Sequence, residues 1–376
     1  MCPVEHSCQV CCTMGSALSR RLRLGQEKLV LTAGLTFVAC VVRRWGGCSI
    51  TAAACGLGLL LALAHFWRRN VRLSGTECDA VLITGCDSGL GYSLALHSHR
   101  LGLTVFAGCL DPNGPGAKQL AEKCGKERFF IIELDVTKQS SILQAHDTIS
   151  KIISTQPQLR LKAIVNNAGV MVFGEFEWQT ENLIANQINV NFLGTLNVTK
   201  TFIHLLRIHK GRIITVTSHC AKEALPGLAT YGGTKAALKA WSDGLRVELA
   251  KYGVSVITVI PGSFAQQSNI LSRQRTYMLE MQKEMTSEAQ EFYGDYFFRY
   301  NEYLCGLSSQ RDPEELNDSD LYHMYEDALL SQYPQPHYEH GPLRYTIYHF
   351  MFKYSPIWLR DKLVLRFMQM PQWKPM

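Results

Sequence analysis

Six short apolar runs, spaced by longer segments of helical periodicity, most constrain what this chain can fold into. They are AVLIT (80–84), TVFAGCL (104–110), FFIIELD (129–135), LKAIVN (161–166), GRIITVTS (211–218) and VSVITVI (254–260). A strand with one wet face alternates polar and apolar residues, whereas these runs are nearly unbroken and call for burial on both faces. Six such strands alternating with helices predict an α/β fold, a Rossmann-like doubly wound parallel sheet. The alternation stops at Pro261-Gly262. Residues 79–265 therefore read as the catalytic unit and 266–376 as a helical C-terminal extension, polar-aromatic to about residue 340 and then rich in Phe, Tyr, Trp and Met interleaved with Lys and Arg.

Residues 1–78 have a different texture. Leu29–Val42 and Cys48–Trp67 are uncharged apolar runs of 14 and 20 residues, bracketed by Arg20, Arg21, Arg23 and Lys28, then Arg43-Arg44, then Arg68-Arg69. The second is long enough to span a bilayer and the first is short for that. One span with an interfacial segment and a helical hairpin are both open. The apolar stretch lies too far from Met1 for a usual signal peptide, and the clustered arginines do not suit a mitochondrial presequence. A buried core helix is the remaining alternative. The expectation is a membrane anchor, with the chain at the endoplasmic reticulum and its catalytic part facing the cytosol.

Charge supports this division. The net +6 resides in residues 1–78, which hold nine Lys/Arg against three Asp/Glu, while the rest carries 29 of each sign. No basic nucleic-acid face is expected on the main domain. The 13 cysteines are scattered, with four in the first twelve residues, which suits reduced thiols better than a disulfide framework. Cys8-x-x-Cys11 has no second pair or histidine set at ligand spacing, so no metal is expected.

Two motifs carry chemistry. TGCDSGLGYSLAL follows the first strand and opens a helix, so Gly85, Gly89 and Gly91 mark a tight turn where a phosphate can approach a helix N-terminus. In ATYGGTKAAL, Tyr231 and Lys235 stand four apart and share one helix face. An ammonium beside a phenol lowers the phenol pKa and makes it usable as an acid or base near neutrality.

These motifs, with NNAG (166–169), NVNFLG (189–194), Ser218 and Pro261-Gly262, occur in an order that resembles the short-chain dehydrogenase/reductase superfamily. TGCDSGLGYSLAL and VFAGCL are similar to its membrane-associated branch of retinol, 17β-hydroxysteroid and 3-hydroxybutyrate dehydrogenases. NNAGVMVFGEFEWQ, VTSHCAKEALPGL and IPGSF resemble members linked to ecdysteroid hormone synthesis in insects. The resemblance implies an enzyme that uses a nicotinamide dinucleotide. Tyr231 becomes the general acid/base and Lys235 the group that depresses its pKa and holds the nicotinamide ribose. Ser218 holds the substrate oxygen, and Asn191 completes a proton relay through water. Gly85, Ser88, Gly89, Leu90, Gly91, Asp111, Asp135, Val136, Asn166, Ala168, Gly169, Pro261 and Gly262 fall at cofactor positions, with Asp135 against the adenine ring.

At the end of the second strand, Cys109 and Leu110 stand where an Asp or Arg often decides between NAD and NADP, and Asp111 follows. With no arginine there for a 2′-phosphate, NAD is expected over NADP. Gln266 stands where the family often has a threonine that holds the nicotinamide amide, and whether Ser263 or Gln266 replaces it is left open by the sequence. His219 is either catalytic or a turn histidine. The implied substrate is a lipophilic sterol or steroid, exchanged between alcohol and ketone, with the aromatics of 293–304 as pocket wall. A retinol or small 3-hydroxy-acid dehydrogenase and a non-catalytic nucleotide-binding module are the rivals. A homo-oligomer is compatible with the resemblance.

Overall fold

The computed structural model describes Gly56, Gly58 and residues 72–73, 75–223, 225–262, 269–307 and 312–374. Apart from Gly56 and Gly58, the expected membrane anchor lies outside the described residues, as do Ser263 and Gln266. Among those described, no helix is long and apolar enough to cross a membrane.

All six expected strands are present: β1 (Asp79–Thr84), β2 (Thr104–Cys109), β3 (Phe129–Glu133), β4 (Arg160–Asn166), β5 (Arg212–Val216) and β6 (Ser255–Ile260). A seventh, β7 (His337–Glu339), was not expected; it lies within the stretch read as helical. Three residues with no apolar run give no strand signal, and β7 exists because β6 offers it an edge. All pairings are parallel, in the order β3-β2-β1-β4-β5-β6-β7.

Alternation within each strand feeds two layers. Val81, Ile83, Val105 and Ala107 pack against α1 (Gly89–Arg100), α2 (Pro115–Cys124) and α10 (Ser319–Leu330). Ala80, Leu82, Phe106 and Ile164 pack against α3 (Gln139–Thr155), α5 (Thr195–His209) and α6 (Ala229–Ala250). With both faces covered, the runs contain no polar face to show in sequence. Neighbouring β1 and β4 send their connections to opposite faces, which opens a crevice at their C-terminal ends.

The C-terminal extension builds a second cluster beside the sheet, from α7 (Gln274–Glu284), α8 (Ser287–Tyr293) and α9 (Asp295–Leu307). Trp178, from the segment before α4 (Glu181–Gln187), is buried at its centre, with edge-on contacts to Tyr293, Tyr296, Phe297 and Tyr300 at 5.1–5.5 Å. This corrects the reading of 293–304 as pocket wall. Tyr296, Phe297, Tyr300 and Leu304 recur at helical spacing on one face of α9, and that face is spent on the Trp178 core. A final pair, α11 (Leu343–Tyr354) and α12 (Ile357–Met368), packs through Tyr345, Tyr348, Phe352 and Phe367.

Candidate active site

The strand-to-helix turn at the crevice is held by backbone. Gly85 has φ +70°, a conformation that costs a residue with a side chain. At Gly91 a Cβ would stand 2.1 Å from the Gly85 carbonyl oxygen, so α1 lies directly on the turn. Thr84 Oγ1 accepts the N–H groups of Asn167 (3.0 Å) and Ala168 (2.9 Å), and Asn167 Nδ2 donates to Thr84 O at 2.9 Å. These bonds lock the end of β1 to the end of β4. Ser88 caps α1 in extended conformation without a side-chain hydrogen bond, and no acid occupies the first turn. The leading N–H groups of α1 are thus left for an anion, with the helix dipole behind them.

Beside this turn is a cavity of about 450 Å³ lined by Asp87, Ser88, Asp111, Gly116 and Asp312 among others, with no Lys or Arg among the described residues of its wall. Asp87 accepts the N–H groups of Leu110 and Asp111, each at 3.0 Å, and so pins the end of β2 to the turn. The N-terminus of α1 suits a pyrophosphate, and the acidic wall suits ribose hydroxyls and repels a 2′-phosphate. A nicotinamide dinucleotide therefore fits the residues present. Asp111 lines the cavity, while its Oδ1 also accepts from Asn113 N at 2.9 Å.

Several expected cofactor residues have other duties. Asn166 is buried and donates to Thr199 Oγ1 at 2.9 Å, behind the sheet end, so its side chain braces α5. The Asp135 carboxylate is engaged by Thr137 N–H at 3.0 Å, the Thr137 hydroxyl at 2.6 Å and Lys138 Nζ at 3.0 Å, which fixes the turn into α3. Val136 is buried against Gly194. Leu90 is half-buried against the α1 face of the sheet. Gly262 (φ +94°) follows Pro261 in the turn after β6, against His340.

Ser218, Tyr231 and Lys235 come together as expected. Ser218 ends the segment after β5, where its Oγ accepts from Cys220 N at 3.2 Å and lies near enough to the Tyr231 phenol to lower its pKa. Tyr231 and Lys235 lie in the first turns of α6, both buried. A Cβ on Gly169 would stand 3.4 Å from Lys235 Nζ and 3.3 Å from Asn191 Oδ1, so the NNAG turn closes over this pair.

The expected electrostatics do not hold in this structure. Burial, then the Cys220 thiol, raise the Tyr231 phenol well above its ordinary value, and the Ser218 hydrogen bond offsets only part. Lys235 Nζ is 5.8 Å from the Tyr231 ring centroid and donates to Val216 O at 3.1 Å. Burial brings the ammonium down to about 8. Four-residue spacing put the two on one face, but the lysine reaches down to the strand rather than across to the phenol.

Asn191 lies in a π-helical segment, Ile188–Gly194, a widened turn typical of functional sites. Its Oδ1 accepts from Val170 N at 2.8 Å, and its Nδ2 donates to Val170 O at 2.9 Å and Thr234 Oγ1 at 3.1 Å. The side chain is thus a brace between the NNAG turn and α6. Sequence reasoning passed over Thr84, Asp87, Asn167 and Thr234. Thr84 and Asp87 stood inside the quoted glycine motif as polar residues at a strand end, the one signal that pointed to them.

A Ser-Tyr-Lys cluster at the mouth of a glycine turn, on a parallel sheet of this order, defines a hydride-transfer site for carbonyl and hydroxyl groups. The sequence profile of short chain dehydrogenase matches residues 79–276. The chain is 36% identical over 341 residues to rat estradiol 17-beta-dehydrogenase 2, covering 87% of this chain and 86% of that protein. It is 33% identical to mouse mitochondrial D-beta-hydroxybutyrate dehydrogenase, covering 82% and 88%. To mouse retinol dehydrogenase 7 it is 31% identical, covering 81% and 93%. A short-chain dehydrogenase structure from Streptomyces avermitilis superposes with TM-score 0.55 at 22% identity, covering 78% of this chain and 97% of that one, and shares the fold. The chain belongs to the short-chain dehydrogenase family. It is an NAD(P)-dependent oxidoreductase acting on CH–OH groups.

Proposed function

We propose that the chain interconverts an alcohol and a ketone on a lipophilic sterol or steroid, with NAD preferred over NADP, in ecdysteroid hormone biosynthesis. The observation that carries the substrate class is the shell around Tyr231. Met171, Cys220, Leu228 and Leu271 are buried with it, and Phe173, Ile270 and Leu307 pack against them. A small hydroxy acid would need a cation there for its carboxylate, and the neighbouring ammonium, Lys235, is committed to the Val216 carbonyl and, in this reading, to the nicotinamide ribose. The similarity to estradiol 17-beta-dehydrogenase 2 supports the same class, and the acidic cavity wall supports NAD.

The bound dinucleotide supplies the hydride donor or acceptor. The N-terminus of α1 and the Gly85–Gly91 turn hold its pyrophosphate, the Asp111 cavity its adenosine end, and Lys235 its nicotinamide ribose. Tyr231, kept protonated by burial, gives its proton to the ketone oxygen and takes it back in the reverse direction. Ser218 Oγ positions that oxygen beside the phenol. Asn191 holds the Val170 peptide against this group and so keeps the proton path in place.

The same reading puts the enzyme on a membrane, at the endoplasmic reticulum with the catalytic part toward the cytosol. The uncharged run at 48–67 supports an anchor. The outer faces of α11 and α12 support a second contact: Phe350, Tyr354, Ile357 and Trp358 are each more than 60% exposed, beside Lys353, Arg360, Lys362 and Arg366. The substrate reading is tested by NAD-dependent turnover against a sterol and steroid panel, retinol and 3-hydroxybutyrate. A steroid with the highest kcat/KM supports it; saturable turnover of 3-hydroxybutyrate with none on steroids sinks it.

A further inference from the structure

One residue beyond Ser218 lies a second group of ligating side chains. His219 Nδ1 is 2.8 Å from His349 Nε2, on α11, and 3.5 Å from Glu339 Oε1, on β7. All three ligand atoms lie within 4.8 Å of one another. His219 is buried and stacked on Tyr345 at 4.7 Å. Its other nitrogen, Nε2, is 3.2 Å from the His340 carbonyl oxygen. A carbonyl only accepts, so Nε2 carries the proton and the Nδ1 lone pair faces His349 and Glu339. His349 Nε2 then donates to that lone pair, and His349 Nδ1 is buried without a hydrogen-bond partner among the described residues. Lys222 Nζ pairs with Glu339 Oε2, on the far side of the carboxylate from His219.

We propose that His219 Nδ1, His349 Nε2 and Glu339 Oε1 form a binding site for a divalent transition metal of the zinc class, which clamps the loop after Ser218 to β7 and α11. Two imidazoles and a carboxylate are a zinc-type donor set. Tetrahedral ligation needs the two nitrogens about 3.3 Å apart, so their 2.8 Å contact opens by a small ring rotation. The proton on His349 Nε2 moves to its Nδ1, and His349 binds as a neutral ligand with no net proton release. The second shell is already in place: the His340 carbonyl orients His219, and Lys222 holds the other carboxylate oxygen. No ligand spacing in the sequence announced this group, because its members come from three elements up to 130 residues apart.

The test is equilibrium dialysis of the full chain against Co²⁺, read by metal content and visible spectrum, beside His349→Ala and Glu339→Gln. The proposal expects one cobalt per chain with d–d bands characteristic of N/O ligation, lost in His349→Ala and weakened at least tenfold in Glu339→Gln. It also expects Zn²⁺ to raise the melting temperature of the wild type and of neither variant. Unchanged cobalt content in both variants overturns it, as does a spectrum dominated by thiolate charge transfer, which would place the metal on cysteines. Absence of bound cobalt in the wild type overturns it equally. Metal-free turnover within twofold of wild type in Glu339→Gln certifies that the variant is folded.

Discussion

The residues from β1 to Gly262 and those from Asn269 onward are both rich in apolar side chains, yet they follow different rules. In the first region position is dictated by backbone: parallel pairing, a glycine turn, and polar side chains spent on peptide groups. In the second it depends on what covers each aromatic face. α9 and α11–α12 have similar compositions, but α9 buries Tyr296, Phe297 and Tyr300 around Trp178, while α11–α12 leave Phe350, Tyr354 and Trp358 outside. The difference assigns chemistry to the first region, and support and surface contact to the second.

The largest effect should come from emptying the core on which α7–α9 of the second region pack, whose central side chain, Trp178, comes from the first. Trp178→Ala empties a site edged by four aromatic rings and should cost about 3–5 kcal/mol of stability in a urea titration. A cost below 1 kcal/mol would mean that the aromatics of α9 do not form a core. Next comes a change confined to the first region. Ser218→Ala removes the hydroxyl assigned to position the substrate oxygen beside Tyr231 and should lower kcat by roughly 10²-fold with the melting temperature nearly unchanged. Equal losses of activity and stability would erase the distinction between the regions.

Most of the first region was legible in the sequence, because strands buried on both faces leave unbroken apolar runs and glycine turns leave glycines. The pairing of Tyr231 with Lys235 followed from spacing along α6, and the place of Ser218 from the family resemblance. What spacing could not supply was the direction of long side chains: Lys235 bonds Val216, and Asn166 turns to Thr199 rather than the crevice. The second region was less legible for a physical reason. Tyr and Phe at helical spacing read alike whether a core, a pocket or a membrane faces them, and β7 is a strand only because β6 is beside it.

A smaller effect concerns pH. Lys235 titrates at about 8 in the folded chain against an ordinary 10.5. Between those values the unfolded chain binds more protons, so this group makes stability rise with pH through that window; below it the full cost of burying the ammonium is present. Lys235→Met should therefore be more stable than wild type at pH 7, with the advantage shrinking by pH 10. Parallel unfolding titrations at the two pH values check this, and a constant difference would show that the lysine is not held in a buried site. The smallest effect on stability should come from Phe350→Ser with Trp358→Ser, within about 0.5 kcal/mol, because both side chains face outward. Binding to anionic lipid vesicles should nonetheless fall several-fold, and unchanged vesicle binding would remove the membrane role of α11–α12.

The most direct test of the account is Tyr231→Phe, assayed for steroid turnover and, in parallel, for NADH binding by fluorescence titration. The variant keeps the ring that packs with Met171 and Leu228 and loses only the transferable proton. The account predicts turnover lower by roughly 10² or more with NADH affinity and melting temperature within twofold and a few degrees of wild type. Near-normal turnover on the best steroid would contradict it.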